Sequence, residues 1–236
     1  MRELLRAARR KVTALSLLQS KKPSPDLKEI EDLARRSSVS INHVDRKHLD
    51  QITDNGNHQG IAATTSAYPY VDIVELLAAI KSGEQPAFVL LLDHIQDPQN
   101  LGSILRTAEA IGVDGVIIPS DRAAPVTPAA VRASAGATEH IRVCMETNLV
   151  RTMKVLKEEG LWITGLEAVD QAKEPSEVDL TGPTGLVVGS EGKGLGRLVR
   201  ETCDFLIKLP IKGRVSSFNA GVASAMAMYE VLRQRK

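Results

Sequence analysis

The sequence has few aromatic residues, few cysteines and no long apolar run. Aromatic side chains make up 3% of the 236 residues, so the core must consist mainly of aliphatic side chains. The two cysteines, Cys144 and Cys203, form no C-x-x-C pair, which argues against both a zinc site and a disulfide framework. No apolar run reaches the roughly 18 residues that predict a membrane span. The basic start MRELLRAARRK also lacks the apolar segment of a secretory signal, so we expect a cytoplasmic protein.

Charge is unevenly distributed along the chain, although the formal net charge is only +1. Residues 1–50 carry 12 Lys/Arg against 7 Asp/Glu, whereas the remainder carries 18 against 22. A basic N-terminal region followed by a slightly acidic remainder favours an N-terminal segment that faces a polyanion. The alternative is a solvated helix face, because this excess is modest beside that of dedicated nucleic-acid binders.

Residues 1–66 are predicted to form a small α/β domain. Apolar residues recur at helical spacing from Leu4 to Leu18, and we expect Asp26 to cap a second helix. Residues 39–44 alternate like a short strand, and a closing strand is expected at 61–63. No strand is predicted before the first helix, although a domain of this kind would normally open with one.

Residues 67–85 are predicted to be a linker, and a strict alternation of strands and helices follows over 86–236. Apolar strands such as FVLLLD alternate with helices such as LGSILRTAEAIG, two of which we expect Asn100 and Thr147 to cap. This pattern predicts a parallel sheet covered by helices on both faces. Ligands of such sheets bind beyond the carboxyl ends of the strands. Three loops stand out there: Asp93 to Arg106, Gly189 to Gly196 and Leu209 to Asn219.

The loop VVGSEGKGLG brings Gly189, Gly192, Gly194 and Gly196 directly after an apolar strand. It is not a phosphate-binding loop of the nucleotide-hydrolase type, because Lys193 is followed by glycine instead of Ser or Thr. The dinucleotide fingerprint G-x-G-x-x-G is also absent. Glycines allow backbone groups to hold an adenine or a ribose. The alternative is a flexible turn between a strand and a helix.

The other two loops present small and polar residues at helix starts. Gly102 lets a neighbour approach the first turn of the helix that follows the first loop. Arg106 lies one turn later on the same face of that helix. The alternative interpretation of this loop is that it contains only a helix cap and an arginine on the protein surface. In the last loop, Ser217 and Asn219 precede a helix whose residues 220–227 are mostly small. We expect that small-residue face to pack on a cofactor or on a second subunit.

Taken together and in this order, the three loops resemble the SpoU (TrmH-like) branch of the SPOUT RNA methyltransferases. The motif N-x-G-x-x-x-R lies at 100–106, V-x-G-S-E-G at 187–192 and L-P-x-x-G-x-V-x-S-x-N at 209–219. The sequence HQG before Ile61 is similar to the end of the family's small RNA-binding domain. Phe218 stands where Leu is usual in the family and keeps an apolar wall.

The resemblance implies an α/β fold in which a parallel sheet over 86–236 ends in a C-terminal trefoil knot. A small L30e-like α/β domain over 1–66 would precede it, and we expect this domain to lack its first strand. The implied reaction is methylation of a ribose 2′-hydroxyl of guanosine in ribosomal RNA. S-adenosyl-L-methionine would be the methyl donor, without a metal, in a homodimer joined through the last helix. The alternatives are a tRNA 2′-O-methyltransferase and a non-catalytic RNA-binding assembly factor.

The resemblance also implies roles for individual residues. Arg106 would position a phosphate and stabilise the developing oxyanion, because an arginine stays protonated and is a poor base. His94, which is near this motif in sequence, is interpreted as structural. The remaining predicted catalytic residues are Asn100, Glu191, Ser217 and Asn219. The predicted cofactor-binding residues are Gly189, Gly192, Leu209, Phe218 and the strand end Thr164, Gly165 and Leu166.

Overall fold

The computed structural model describes residues 1–20, 24–190 and 192–236. The chain divides into two compact units, Met1–Pro69 and Tyr70–Lys236. Within the described residues, no helix combines the length and the apolar character needed to cross a membrane. The candidate active site lies entirely in the second unit.

The first unit is a small α/β domain. Its elements in chain order are α1 (Arg2–Ala7), β1 (Val12–Leu18), α2 (Pro25–Arg36), β2 (Ser40–Val44), α3 (Arg46–Ile52) and β3 (Ile61–Thr65). The sheet has the order β2-β1-β3, in which β1 pairs in parallel with β2 and antiparallel with β3. The core of this unit lies between β1 and α2, where Leu15, Ile30 and Ala34 are buried.

The helix predicted from Leu4 to Leu18 is wrong in its second half. Helix α1 ends at Ala7, and β1 occupies the centre of the sheet. Leu15 and Leu17 are buried at alternate positions, which is the two-residue period of a strand. Hydrogen bonding to strands on both sides outweighs the helical spacing of the leucines, because propensity yields to tertiary context. Within the described residues no strand precedes α1.

Two predicted helix caps are displaced by one or two residues. Ser24, and not Asp26, caps α2, because Pro25 takes the first helical position, where its missing N–H is harmless. Asn148, and not Thr147, caps the helix that follows strand β6 of the second unit. In each case the side chain accepts a hydrogen bond from the backbone N–H three residues later.

The second unit is a parallel α/β sheet with helices packed on it. Its strands are β4 (Phe88–Asp93), β5 (Gly115–Pro119), β6 (Val143–Glu146), β7 (Trp162–Leu166), β8 (Thr184–Gly189) and β9 (Phe205–Ile207). Its α-helices are α4 (Ile73–Lys81), α5 (Pro98–Ile111), α6 (Pro128–Ala133), α7 (Leu149–Glu158), α8 (Arg197–Thr202) and α9 (Ala220–Gln234). All pairings between these strands are parallel, in the order β6-β5-β4-β8-β7-β9. The predicted parallel α/β fold is therefore confirmed.

Residues 70–85, which the sequence assigns to a linker, are part of the second unit. Val71 pairs with Cys144 of β6, and Leu76 of α4 is fully buried. The hydroxyl of Tyr70 accepts a hydrogen bond of 2.8 Å from the backbone N–H of Val126. The short amphipathic helix α4 covers the sheet, so the boundary between the units lies at Pro69 instead of at residue 85.

The small-residue face of α9 packs inside the chain. Gly221, Ser224 and Ala227 are buried, and a Cβ on Gly221 would lie 3.4 Å from the Oγ of Ser103 on α5. For these three residues the prediction of packing on a cofactor or a second subunit is wrong. The small side chains let two helices of the same chain approach closely.

Gly102 is required where α5 crosses α6. A Cβ on Gly102 would lie 2.4 Å from the Cβ of Ala133 and 2.5 Å from the carbonyl oxygen of Ala130. We expect Gly102→Ala to lower the free energy of unfolding by about 1–3 kcal/mol, because overpacking outweighs the better helix propensity of alanine. Urea denaturation measures this. Gly182→Ala is the control, since its Cβ would meet nothing within 4 Å. A Gly102→Ala protein as stable as wild type would contradict the tight crossing.

Candidate active site

The three motif loops leave the carboxyl ends of β4, β8 and β9, and β7 lies between β8 and β9 in the sheet. Asp93 at the end of β4 pairs in register with Gly189 at the end of β8. Leu166 at the end of β7 pairs with Val188 of β8 and with Ile207 at the end of β9. Segments that are distant in sequence therefore meet along one edge of the sheet, where ligands of such folds bind.

The carboxylate of Asp93 links the first loop to the glycine loop. Its side chain is only 1% exposed. Oδ2 accepts a hydrogen bond of 2.7 Å from the backbone N–H of Gly196, and Oδ1 lies 2.5 Å from Nδ1 of His94. A buried carboxylate needs such partners to offset its lost hydration. The sequence analysis missed Asp93, although an acidic residue that ends a fully apolar strand was the available signal.

Glu167 holds the same glycine loop from the end of β7. Its Oε2 accepts a hydrogen bond of 2.6 Å from the backbone N–H of Leu195. Gly194 has φ of +63°, and a Cβ there would lie 2.5 Å from Oε1 of Glu167. Glycine at this position is thus required both by its backbone conformation and by the close carboxylate. Glu167 was also missed by the sequence analysis.

The glycine loop folds back over its own start. The N–H of Gly194 donates a hydrogen bond of 3.0 Å to the carbonyl of Ser190. A Cβ on Gly189 would lie 2.3 Å from the carbonyl carbon and oxygen of Gly194, so the path of the loop alone requires this glycine. Gly192 has φ of +78° and faces open space. The predicted catalytic Glu191 lies outside the described residues.

A cleft of about 540 Å³ lies between the first loop and the glycine loop. Among the lining residues that the structure describes, Arg122 and Lys193 are basic and Asp97 is acidic. The other described lining residues include His94, Asn100 and Gly196. Of the predicted catalytic residues that the structure describes, Asn100 alone lines this cleft. The two basic side chains suit an anionic ligand.

Asn100 and Asn219 meet beside the cleft. Nδ2 of Asn219 donates a hydrogen bond of 2.9 Å to Oδ1 of Asn100. Oδ1 of Asn219 also accepts from the N–H groups of Gly221 and Val222 and so caps α9. The prediction that Asn100 caps α5 is wrong: Asp97 is the cap, because Pro98 occupies the first helical position. The amide of Asn100 reaches α9 instead.

Arg106 and Ser217 lie outside the wall of the cleft. Arg106 is exposed on α5, six residues after Asn100, which is a rise of roughly 9 Å along the helix. Its guanidinium forms no hydrogen bond or ion pair with any residue that the structure describes. Ser217 is exposed in the segment that precedes α9. The structure thus brings Asn100 and Asn219 together and leaves Arg106 and Ser217 at the periphery of the site.

The predicted cofactor residues lie at the ends of β7, β8 and β9. Leu166 and Gly189 end adjacent strands, and Leu209 follows the third. No backbone hydrogen bond joins residues 209–218 to the part of the chain that the structure describes. Phe218 is half-buried at the end of this segment. Such an edge fits a nucleoside held largely by backbone groups.

Thr164 and Gly165, which were predicted to contact the cofactor, lie inside β7 and are packed against other residues of the chain. A Cβ on Gly165 would lie 2.8 Å from both Sγ of Cys203 and Cδ1 of Leu195, so its glycine is explained by packing. Thr164 is fully buried, and its Oγ1 has no hydrogen-bond partner among the described residues. A buried hydroxyl without a partner is unusual. Neither residue lines the cleft.

The chemistry of the site is not that of a cysteine nucleophile. Burial raises the pKa of Cys203 to about 12, and burial together with Glu146 raises the pKa of Cys144 to about 12. Both thiols are therefore neutral near pH 7, whereas nucleophilic attack needs a thiolate. The described residues also contain no group of three or more His, Cys, Asp or Glu side chains placed to hold a metal ion.

Comparisons with known proteins identify the family of the chain. The model of the SpoU rRNA Methylase family matches residues 87–229, and a model of RNA 2′-O ribose methyltransferase substrate binding matches residues 2–71. A Bacillus subtilis protein named as a TrmH family tRNA/rRNA methyltransferase, YacO, is 47% identical over 208 residues, covering 88% of this chain and 82% of that protein. A relative of Staphylococcus saprophyticus with the same family name is 44% identical over 219 residues, covering 93% and 87% of the two chains.

A solved structure has the same fold. The SpoU methyltransferase AviRb from Streptomyces viridochromogenes, in complex with the cofactor AdoMet, superposes with a TM-score of 0.81. The alignment covers 99% of this chain and 87% of that chain at 23% identity. The family model spans more than half of the sequence, and the curated relatives are well above 30% identical over most of it. The chain therefore belongs to the SpoU rRNA methylase family.

Proposed function

We propose that this chain transfers a methyl group from S-adenosylmethionine to the 2′-hydroxyl of a ribose in ribosomal RNA, with guanosine as the target nucleoside. The observation that carries the proposal is the meeting of Asn100 and Asn219 beside a cleft that Arg122 and Lys193 line. Both residues belong to motifs of the family, and the order of the strands in the sheet brings them together. Membership of the family and the AdoMet-bound structure of AviRb support the choice of reaction and methyl donor.

The methyl donor fits the edge formed by β7, β8 and β9. Backbone groups of residues 209–218, with Leu166 and the half-buried Phe218, would hold its adenosyl part. When bound, this donor supplies a methyl group on a positively charged sulfur, which needs no further activation. The chain must therefore orient the ribose hydroxyl and remove its proton, because a hydroxyl is a poor nucleophile until it is deprotonated.

We propose that the first unit binds the RNA. Its matching family model concerns substrate binding, and its basic side chains carry the positive excess of the sequence. Several of them have no ion-pair partner among the described residues, namely Lys11, Lys28, Arg36, Arg46 and Lys47. Cationic side chains of this kind neutralise phosphates. We favour ribosomal over transfer RNA because the tRNA enzymes of this branch generally carry helical extensions in place of such a domain.

The knot predicted for residues 86–236 stays part of the proposal. Strand β8 lies between β4 and β7, and the chain then returns to the outer edge as β9. The loops of that region are linked through Asp93 to Gly196 and through Glu167 to Leu195. A threaded chain would hold these loops together without any cross-link.

Arg106 would act on the RNA instead of on the reacting proton. Its exposed position about 9 Å along α5 from Asn100 suits a contact with a phosphate next to the target ribose. A guanidinium presents a planar pair of donors that matches phosphate geometry. This location supports a positioning role, in which Arg106 fixes the substrate while another group handles the proton.

Replacement of Arg106 separates binding of the RNA from binding of the methyl donor. We expect Arg106→Ala to lower single-turnover methyl transfer by roughly 100-fold or more, the scale of a lost group that stabilises developing charge. Calorimetry should show unchanged affinity for S-adenosylmethionine. Arg106→Lys should recover only part of the rate, because lysine keeps the charge but not the planar pair of donors.

The matched control for this experiment is Arg151→Ala. Arg151 is exposed on α7 and lies outside the cleft. We expect its replacement to leave both measurements unchanged. Wild-type transfer rates in Arg106→Ala would remove Arg106 from the mechanism. Full recovery by Arg106→Lys would mean that charge alone is required.

We propose that the chain forms a homodimer through the exposed face of α9. Val222, Met226 and Tyr229 follow each other at helical spacing, and they are 50%, 41% and 56% exposed. An apolar stripe of this kind in water favours association. It is distinct from the buried small-residue face that packs on α5 within the chain.

Met226→Lys should produce a monomer in light scattering, because a buried charge without a partner opposes association and a symmetric interface carries it twice. Val74→Lys, at an apolar residue of α4 that is 70% exposed, is the control and should stay dimeric. A monomeric wild-type protein would refute the dimer. A dimeric Met226→Lys protein would place the interface elsewhere.

A further inference from the structure

His94 occupies a wall of the cleft and is held there by a buried carboxylate. It directly follows β4, lines the cleft together with Asn100 and Gly196, and its side chain is 43% exposed. Nδ1 lies 2.5 Å from Oδ1 of Asp93, whose side chain is 1% exposed. The other carboxylate oxygen is fixed by the N–H of Gly196, so Asp93 cannot turn away from the ring.

The backbone at His94 is in the left-handed region, with φ of +61°. A residue with a side chain is strained in this region, and glycine would adopt the same conformation without strain. Strained residues persist where surrounding contacts determine their conformation, and they cluster at functional sites. The pair with Asp93 supplies such a contact.

The pair fixes which ring nitrogen can react. An ionised carboxylate only accepts hydrogen bonds, so Nδ1 of a neutral ring must carry the proton that it donates to Asp93. Nε2 then keeps a lone pair as a hydrogen-bond and proton acceptor. A buried carboxylate behind the ring also stabilises the imidazolium that forms when Nε2 takes up a proton, as in other carboxylate–histidine pairs of enzymes.

We propose that His94 is the general base of the methyl transfer, with Asp93 as its positioning residue. The inference rests on the proposed function. The oxygen of the ribose 2′-hydroxyl forms a bond to the methyl carbon, the sulfur–carbon bond breaks, and its electron pair stays on sulfur. The donor leaves as neutral S-adenosylhomocysteine. The hydroxyl proton passes to Nε2 of His94 and afterwards to water.

The charged groups around the ring come from several elements. Asp93 and the cleft residue Asp97 are acidic, whereas Arg122 and Lys193 on the facing loops are basic. Helix α9 contributes Ala220 to the cleft. Since a general base acts in its neutral form, the rate should increase with pH and then reach a plateau.

The kinetic test compares wild type with His94→Gln and His94→Gly between pH 5.5 and 9. Each protein, in excess and with saturating S-adenosylmethionine, methylates total RNA from a strain that lacks this chain. Wild type should gain about tenfold in rate per pH unit below its plateau. Both variants should be about 100-fold slower or more at the plateau and lose this pH dependence. Their affinity for S-adenosylmethionine should stay within about twofold of wild type, a shift of less than about 0.5 kcal/mol.

Two further features distinguish a base from a structural residue. Added imidazole should restore part of the rate in His94→Gly, which leaves space for it, but not in His94→Gln. His140→Gln is the matched control: His140 precedes the outer strand β6, two strands from β4, and does not line the cleft, so its replacement should leave the pH profile unchanged. Wild-type rates and pH profiles in both His94 variants would overturn the proposal. Joint loss of rate and of S-adenosylmethionine affinity would do so too, since it would identify a structural role.

A measurement without turnover tests the same arrangement. Nitrogen-15 NMR of the imidazoles, with His94→Gln to assign the signal, should show the neutral ring of His94 protonated at Nδ1. A proton on Nε2 instead would overturn the proposal. If wild type methylates no RNA, the proposed function fails and the base fails with it. If wild type and both His94 variants all methylate RNA equally, only the base fails.

Discussion

The buried carboxylate of Asp93 is the constraint on which the site depends. It ends a strand whose side chains are all buried, where an unpaired charge would be very costly. Its two oxygens are therefore fully committed, one to the amide of Gly196 and one to the ring of His94. The hydrogen bond from Gly196 fixes the glycine loop against the first motif loop. The contact with His94 places an imidazole at the cleft. Glu167 repeats the first arrangement on the other side of the loop.

The order of the strands in the parallel sheet determines which groups meet at the site. The cleft lies beyond β4 and β8 and carries the polar groups that suit the ribose, including Asn100. The ends of β7, β8 and β9 carry the segment 209–218, whose backbone groups suit the methyl donor. Asn219 joins the two regions, because it caps α9 and hydrogen-bonds to Asn100. An activated methyl group and a deprotonated hydroxyl would thus meet without a metal or a covalent enzyme intermediate.

Much of this organisation could be predicted from the sequence, because it depends on local patterns. Continuous apolar strands alternating with helices predicted the parallel sheet, and three ordered motifs predicted the family. The strand Val12–Leu18 was missed because its leucines also fit a helix and the pairing partners are distant. Asp93 and Glu167 were missed because their partners are backbone amides 103 and 28 residues away. No local pattern contains such contacts.

The most direct test of the central claim is to identify the methylated nucleoside. Purified protein and S-adenosylmethionine would be incubated with ribosomal RNA from a strain that lacks this chain, and the digested RNA would be analysed by mass spectrometry of its nucleosides. We predict a single new product, guanosine methylated on the ribose 2′-oxygen. A methyl group on a base, or no methylated nucleoside in any RNA offered, would contradict the function proposed for this site.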